Sequence, residues 1–173
     1  MRRYHDEEWG VPLHDDRRLL ESLILDGAQA GLSWRTILLR RPGYRKAFLQ
    51  FNAQRIAGFV AKDVRRMMND RGIIRNRAKI LSAIANARAF LKVREEFGTF
   101  DRYIWGFAPP KTKIDQRPHN YRDLRVTSPE AQVMSKDLRL RGFSFVGPTI
   151  CYAFMQACGM VDDHLHGCFR IKK

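Results

Sequence analysis

Apolar residues in this chain recur at spacings of three and four, and alternation of apolar with polar residues is nowhere sustained. Such a spacing is the period of one helix face. In the predicted helix over residues 17–30, this spacing is shown by Leu20, Leu23, Ile24 and Gly27. In the predicted long helix over about 74–95, it is shown by Ile73, Ile80, Ile84, Ala87 and Leu91. The pattern predicts an all-α fold, and the length predicts a single domain over residues 1–173.

Glycine, proline and capping residues predict where the helices begin and end. Gly31 is expected to end the first helix, and Ser33 to cap a second over 34–41 that Pro42 and Gly43 stop. Thr127 with Glu130 fits a capping box for a helix reaching about residue 140. The other expected elements are helices over 45–51, 53–69, 100–107 and 148–158, an irregular stretch over 108–126, and a hairpin over 141–146.

The charge of the chain indicates a polyanionic partner. Lysine and arginine number 32 and aspartate and glutamate 18, so the formal net charge is +14. A basic domain of this kind is typical of nucleic-acid binding, although a solvated basic surface is the alternative. No apolar run is long enough to cross a membrane. No export leader is visible, and three clustered cysteines are typical of a reducing compartment, which predicts a cytoplasmic protein.

A glycine-bounded segment, residues 142–147, joins two predicted helices, and Pro148 stands where the second begins. A helix–hairpin–helix of this form offers free backbone N–H groups and a positive dipole end to an anion. On a basic protein that anion is a nucleic-acid phosphate. An ordinary helical hairpin packed by its aromatic residues is the alternative.

Imidazole and thiolate side chains near the two ends of the chain suggest a zinc site. His5 lies near the amino terminus, and His164 and Cys168 lie near the other end, and this donor set suits zinc. Three ligands are one fewer than a closed structural site has. Cys151 and Cys158 are interpreted as core residues of the last helix.

An acid, a glycine-rich break and a tryptophan follow one another at residues 26–34. Asp26 lies in the last turns of its predicted helix, where the dipole opposes a negative charge and no local residue compensates. This placement suggests the wall of a pocket that includes Trp34, while a solvent-facing acid beside a core tryptophan is the alternative. Taken alone, the stretch 4–10 indicates only a terminus anchored by aromatic residues.

These segments together resemble the DNA-3-methyladenine glycosylase I family over nearly the whole chain. The first matching motifs are Tyr4-His5-Asp6-x-Glu8-Trp9-Gly10-Val11-Pro12, Gly27-x-Gln29-Ala30-Gly31-Leu32-Ser33-Trp34 and Gly72-Ile73-Ile74-Arg75-x-Arg77-x-Lys79-Ile80. The later ones are Arg141-Gly142-Phe143-x-Phe145-Val146-Gly147-x-Thr149-Ile150-Cys151-Tyr152, Met155-Gln156-Ala157-Cys158-Gly159 and Asp163-His164-x-x-x-Cys168. The resemblance implies a helix–hairpin–helix glycosylase fold that excises 3-methyladenine from alkylated double-stranded DNA, with the free base as product.

The resemblance also implies roles for individual residues. Zinc joining the chain ends would be held by His5, His164 and Cys168, and the family's remaining cysteine ligand falls upstream of Met1. The base-contacting carboxylate, and the residue given the catalytic role, is Asp26, where the family usually has glutamate. The aromatic base pocket is assigned to Tyr4, Trp9 and Trp34, and DNA contacts to Gln29, Gly31, Leu32, Ser33, Gly142, Gly147 and Thr149.

Two other functions remain open at this point. A non-catalytic module of the same fold that recognises damaged or distorted DNA would have the same charge and hairpin. A basic RNA-binding helical protein would instead need exposed stacking aromatic residues, and the hairpin favours duplex backbone. We expect the protein to act as a monomer, without a membrane partner.

Overall fold

The computed structural model describes residues 1–109 and 118–171. These residues form nine α-helices and no strand, which confirms the all-α prediction. The helices are α1 Arg2–Glu7, α2 Asp16–Gln29, α3 Trp34–Ala47, α4 Ala53–Ala57, α5 Ala61–Met68, α6 Arg77–Phe97, α7 Phe100–Ile104, α8 Pro129–Leu140 and α9 Pro148–Ala157. Short 3₁₀ turns cover Leu49–Phe51, Trp105–Phe107 and Tyr121–Asp123. None of the described helices has the length and apolar character that crossing a bilayer requires.

The centre of the fold is α2, which packs against α3, α6, α7 and α9. Leu19, Leu20 and Leu23 of α2 are completely buried. Ile80 and Ile84 of α6 are nearly so, as the apolar stripe of that helix predicts, whereas the predicted Leu91 is only partly buried and its neighbour Phe90 is buried instead. Each such side chain contributes about 1.5–3 kcal/mol by leaving water. The two strongest apolar periodicities in the sequence therefore specify the two helices around which the others assemble.

The prediction that Pro42 and Gly43 end α3 was wrong, because the helix continues to Ala47. A proline inside a helix removes one backbone hydrogen bond and costs about 3 kcal/mol. The turn that follows Pro42 buries Tyr44 and Ala47. The Tyr44 hydroxyl also accepts a hydrogen bond of 3.3 Å from the backbone N–H of Ile74. Tertiary contacts of this last turn therefore offset the local cost of proline.

Several other boundaries differ from the predicted ones. The helix expected over 53–69 is divided at Gly58 into α4 and α5, and α1 was not predicted. The cap of α8 is Ser128, whose Oγ accepts a hydrogen bond from the N–H of Ala131, so the assignment of Thr127 was wrong. The helices α2, α6, α7, α8 and α9 lie where predicted to within a few residues. Of the predicted irregular stretch 108–126, residues 110–117 lie outside the described part of the chain.

We expect Gly43→Ala to destabilise the protein, although alanine is normally the better helix former. A Cβ at position 43 would lie 2.7 Å from the carbonyl carbon of Gly72, which is backbone and cannot rotate away. The expected loss in free energy of unfolding is about 1–3 kcal/mol, measured by chemical denaturation. Gly106→Ala is the matched control because a Cβ there meets no atom within 4 Å. Equal stability of the two variants would contradict the close approach.

Candidate active site

A cavity of about 840 Å³ opens where α1, the end of α2, the start of α3 and α9 meet residues 161–168. It brings together the four residues assigned to base binding, namely Tyr4, Trp9, Asp26 and Trp34. The three residues assigned to metal binding line the same cavity. A concave site of this size with aromatic walls and few polar groups is typical of a small-molecule pocket.

The carboxyl group of Asp26 is the buried acid of this cavity, with only 4% of the residue exposed. It accepts a hydrogen bond of 3.3 Å from the hydroxyl of Ser22, one turn earlier on α2. Burial raises the pKa of Asp26 to about 8, and the Ser22 hydrogen bond offsets only part of that rise. The group therefore holds its proton at neutral pH when no counter-charge is close to it.

The end of α2 is compensated by a residue far along the chain, which the sequence analysis did not find. The ammonium group of Lys79 donates to the carbonyl oxygens of Ala28 and Ala30 at 2.8 and 2.6 Å. A cation at a helix carboxyl end offsets the negative end of the dipole. Burial lowers the pKa of Lys79. Lys79 lies in one of the matching motifs, but only the fold places it at the carboxyl end of the helix that carries Asp26.

Two neighbouring aromatic rings line the cavity together with this acid. The ring centroids of Tyr4 and Trp34 are 5.5 Å apart, with their planes tilted by 54°. Trp34 is the first residue of α3, and the predicted cap is confirmed because Ser33 Oγ accepts from the N–H of Thr36. Burial, with the nearby Asp26 carboxyl, raises the pKa of Tyr4 well above its usual range, so its hydroxyl remains a donor.

Trp9 lines the cavity but lies against the metal-ligating residues rather than the Tyr4–Trp34 pair. Its ring meets that of His164 edge-on at 4.6 Å and stacks on that of His5 at 6.1 Å. Trp9, which was assigned to the base pocket, therefore packs against the two histidines of the cavity.

The cluster of potential metal ligands consists of His5, His164 and Cys168, whose candidate ligand atoms lie within 4.8 Å of one another. The Nδ1 atom of His5 lies 2.8 Å from Asp6, and that of His164 lies 2.7 Å from Asp162. Carboxylates on Nδ1 leave Nε2 as the ligand atom, which is the arrangement of histidines that bind zinc. The donor set of two imidazoles and a thiol also fits that ion.

The two other cysteines behave as core residues, as predicted. Cys151 and Cys158 are completely buried. Burial raises the pKa of Cys151 to about 12 and also raises the pKa of Cys158, so both remain thiols at neutral pH. Neither belongs to the cluster of potential ligands among the described residues.

The loop between α2 and α3 exposes the residues assigned to the DNA strand at the edge of the cavity. Gly31 adopts a φ of +75°, a conformation that favours glycine. The Gln29 amide donates to the carbonyl of Leu32 at 2.6 Å and thereby closes the loop. The Leu32 side chain is left partly exposed, and Ser33 is exposed.

The segment 141–147 joins α8 to α9 and is held against the rest of the fold. The side chain of Asn86, on α6, donates to the carbonyl of Ser144 at 3.1 Å and accepts from its N–H at 2.8 Å. Gly142 has a φ of +90°, which favours glycine. Gly147 caps α9 without a side-chain hydrogen bond, and Thr149 in the first turn is exposed. The first turn of α9 thus presents backbone N–H groups with no side-chain cap, as an anion site requires.

Sequence reasoning missed the side chains that hold these pieces together. Asp163 accepts hydrogen bonds from the Tyr152 hydroxyl at 2.6 Å and the Gln156 amide at 2.8 Å, which fixes residues 161–168 on α9. Glu8, the residue that follows α1, forms a two-pronged ion pair with Arg41 of α3, with one N–O distance of 2.8 Å. All of these pairs join residues from different turns or helices, so no local pattern could identify them.

The cavity combines a buried acid with two aromatic rings, and backbone donors are exposed nearby on a basic helical protein. These features define a protein that accepts a heterocyclic base from nucleic acid. The sequence matches the methyladenine glycosylase family over residues 1–171, and the chain belongs to this family.

Individual relatives agree with this assignment. DNA-3-methyladenine glycosylase 1 of Escherichia coli (strain K12) is 44% identical over 165 residues, which cover 95% of this chain and 88% of that protein. A crystal structure of 3-methyladenine DNA glycosylase I superposes with a TM-score of 0.92 at 45% identity and covers 97% of this chain and 92% of that one. The structure of a variant of 3-methyladenine DNA glycosylase I in complex with 3-methyladenine gives 0.93 at 34% identity, covering 99% and 91%.

We expect Asp26→Asn to remove a pH dependence of stability. The folded-state pKa of Asp26 is raised from 3.8 to about 8, so its stabilising contribution is complete below about pH 4 and is lost as the pH rises to 8. Over that window the parent protein should lose up to a few kcal/mol that the variant keeps. Denaturant titrations at pH 5 and pH 8.5 measure the difference. Glu7→Gln, which removes an exposed carboxyl, is the control, and a parent slope matching that of Asp26→Asn would contradict the burial of a titrating acid.

Proposed function

We propose that this protein is a DNA glycosylase that hydrolyses the N-glycosidic bond of 3-methyladenine in alkylated double-stranded DNA. The observation that carries the proposal is the buried Asp26 facing a cavity walled by Tyr4 and Trp34. Membership of the methyladenine glycosylase family supports it. So does the complex of a similar protein with 3-methyladenine.

The chemistry of the lesion fits this cavity. A base in a duplex must be flipped out of the stack, at a cost of a few kcal/mol, before it can enter a pocket. Methylation at N3 makes adenine cationic, and a cation is attracted to an aromatic face such as those of Tyr4 and Trp34. The positive charge also favours ionised Asp26, which accepts hydrogen bonds from the amino edge of the base. An unmodified, neutral adenine would leave that buried carboxyl without its counter-charge.

The same positive charge explains why no strong general acid is needed at the leaving group. The bond between C1′ and the base nitrogen breaks with its electron pair moving onto the cationic ring, which leaves as neutral 3-methyladenine. Water adds to C1′ and releases a proton. The exposed loop around Leu32 and the first turn of α9 would hold the flanking phosphates, and the charge of +14 favours binding of the duplex. We propose that the protein acts as a monomer.

Position 26 is aspartate where the family usually has glutamate, and this difference changes how far the carboxyl oxygens reach toward the base. The side chain is one methylene shorter, or about 1.5 Å. We propose that the base sits correspondingly deeper toward α2. Asp26→Glu should therefore retain excision, whereas Asp26→Asn should lose most of it.

We expect Trp34→Ala to weaken binding of free 3-methyladenine and to slow its release from alkylated duplex. Stacking on a base contributes about 1–3 kcal/mol, so affinity should fall roughly tenfold to a hundredfold. Calorimetry with the free base and chromatography of released base measure the two effects. Trp105→Ala is the matched control because that indole stacks on His14 and its residue is not among those lining the cavity. Equal losses in both variants would mean that Trp34 contributes only to packing.

The release assay also separates the proposed enzyme from a non-catalytic reader of damaged DNA. An enzyme frees 3-methyladenine from alkylated duplex and leaves an abasic site. Tight binding of the alkylated duplex with no release of base, under conditions where the Escherichia coli relative is active, would establish the reader and overturn the proposed function.

We further propose that His5, His164 and Cys168 bind structural zinc, which would join α1 to residues 161–168. Three observations support this proposal. The donor set suits zinc, each histidine has a carboxylate beside its Nδ1 atom, and Cys168 Sγ lies 3.6 Å from His5 Nε2. His166 is exposed and stacks on His119 at 4.8 Å, so its ring is engaged outside this cluster.

Three donors predict zinc that binds but is removed by a chelator, because a closed site has four protein ligands. Metal analysis before and after a chelator wash, with thermal unfolding of the same samples, measures occupancy and its effect on stability. Cys168→Ser should lower both, whereas Cys151→Ser should leave zinc content unchanged. Stoichiometric zinc that survives the wash would show that a fourth residue completes the site.

A further inference from the structure

A second concave surface lies between α5 and α6, lined by none of the residues that form the active-site cavity. It has a volume of about 350 Å³ and an apolar floor that includes Phe59, Val64 and Ile84. Two apolar side chains at its edge face water, since Val60 is 62% and Leu81 38% exposed. We call this surface the α5–α6 groove. Exposed apolar area within a concave surface is typical of an interaction site rather than of a solvated face.

The charged side chains that line the α5–α6 groove all have one sign. Arg65, Arg77 and Arg88 contribute to its lining, and no acidic residue of the described chain does so. Arg88 is held in place because its guanidinium donates to the carbonyls of Ala57 and Phe59, at 2.9 and 3.5 Å. The groove therefore pairs an apolar floor with three guanidinium groups, of which one has a fixed position.

Helix geometry places the groove opposite the side of α6 that packs against the end of α2 and the segment 141–147. Lys79 contacts the end of α2, and Asn86 contacts the segment 141–147. Leu81 and Arg88 each follow one of these residues by two positions, which is a rotation of about 200° around the helix axis. An occupant of the groove would thus leave the active-site cavity and its flanking loops uncovered.

We propose that the α5–α6 groove binds an acidic peptide segment of a partner protein, with apolar side chains on the floor and carboxylates on the arginines. Carboxylates pair with guanidinium groups through two parallel hydrogen bonds. A nucleic-acid backbone would satisfy the arginines but would leave the apolar floor and Leu81 in contact with water. The combination of charge and apolar area is therefore matched by a peptide in which aspartate or glutamate flanks leucine or phenylalanine.

The test uses a short fluorescein-labelled peptide of Asp, Glu, Leu and Phe and measures its anisotropy with the full-length protein. Binding should be saturable, and Leu81→Asp should weaken it about tenfold because apolar contact is lost and a like charge is added. Arg77→Glu should weaken it several-fold. A second peptide with serine in place of Leu and Phe should bind far more weakly. Excision of 3-methyladenine and the thermal midpoint should stay at parent values in both variants.

Matched controls separate a specific site from attraction to a basic protein. Leu140→Asp changes another exposed leucine, and Arg102→Glu changes an exposed arginine on α7. These controls should bind the peptide like the parent, and duplex DNA containing an abasic site should not displace it. Equal loss in control and groove variants, equal binding of the serine peptide, or displacement of the peptide by duplex would each overturn the proposal. If Leu81→Asp lowers the thermal midpoint, Arg77→Glu alone decides the outcome.

Discussion

Two polar side chains of α6 hold the surface that faces the proposed substrate. Lys79 binds the carbonyl end of α2, one turn beyond Asp26, and Asn86 binds the segment that leads into α9. Both side chains belong to α6, a long helix whose apolar stripe is buried against the neighbouring helices. The end of α2 and the beginning of α9 come from distant parts of the sequence, so their relative position depends on these bonds. Phe145 of the same segment also packs on Gly27, where a Cβ would come within 3.3 Å.

The buried acid depends on that arrangement. A carboxyl group near the carboxyl end of a helix is opposed by the dipole, and burial opposes its ionisation further. The Lys79 ammonium offsets the dipole without pairing directly with the carboxyl, so Asp26 keeps a raised pKa. It follows that the site gains most from a ligand that brings its own positive charge. In the proposed function, this electrostatic condition would favour a cationic alkylated base over a neutral one.

The sequence predicted the helical fold and most of the cavity because those depend on local patterns and on motifs. Leu20, Leu23 and Ile24 specify α2 by their spacing, and Ser33 specifies the start of α3. Asp26 was singled out because its charge contradicts its position in a helix. The errors arose where long-range contacts outweigh local preference, as at Pro42, whose helix continues because the next turn is buried. Lys79 and Asn86 could not be assigned roles, since each acts on a partner more than forty residues away.

The short helix α1 carries two adjacent side chains with different neighbours. Tyr4 packs beside Trp34 in the cavity that Asp26 lines, and His5 lies beside Cys168 in the cluster of potential metal ligands. Tyr4 and His5 are adjacent residues of one helix, so an ion that orders His5 would also order Tyr4. By thermodynamic linkage, any gain in base affinity from metal binding equals the gain in metal affinity from base binding. Zinc bound at this cluster would thus also act as an effector of the base pocket, and binding of damaged DNA would raise the affinity for zinc.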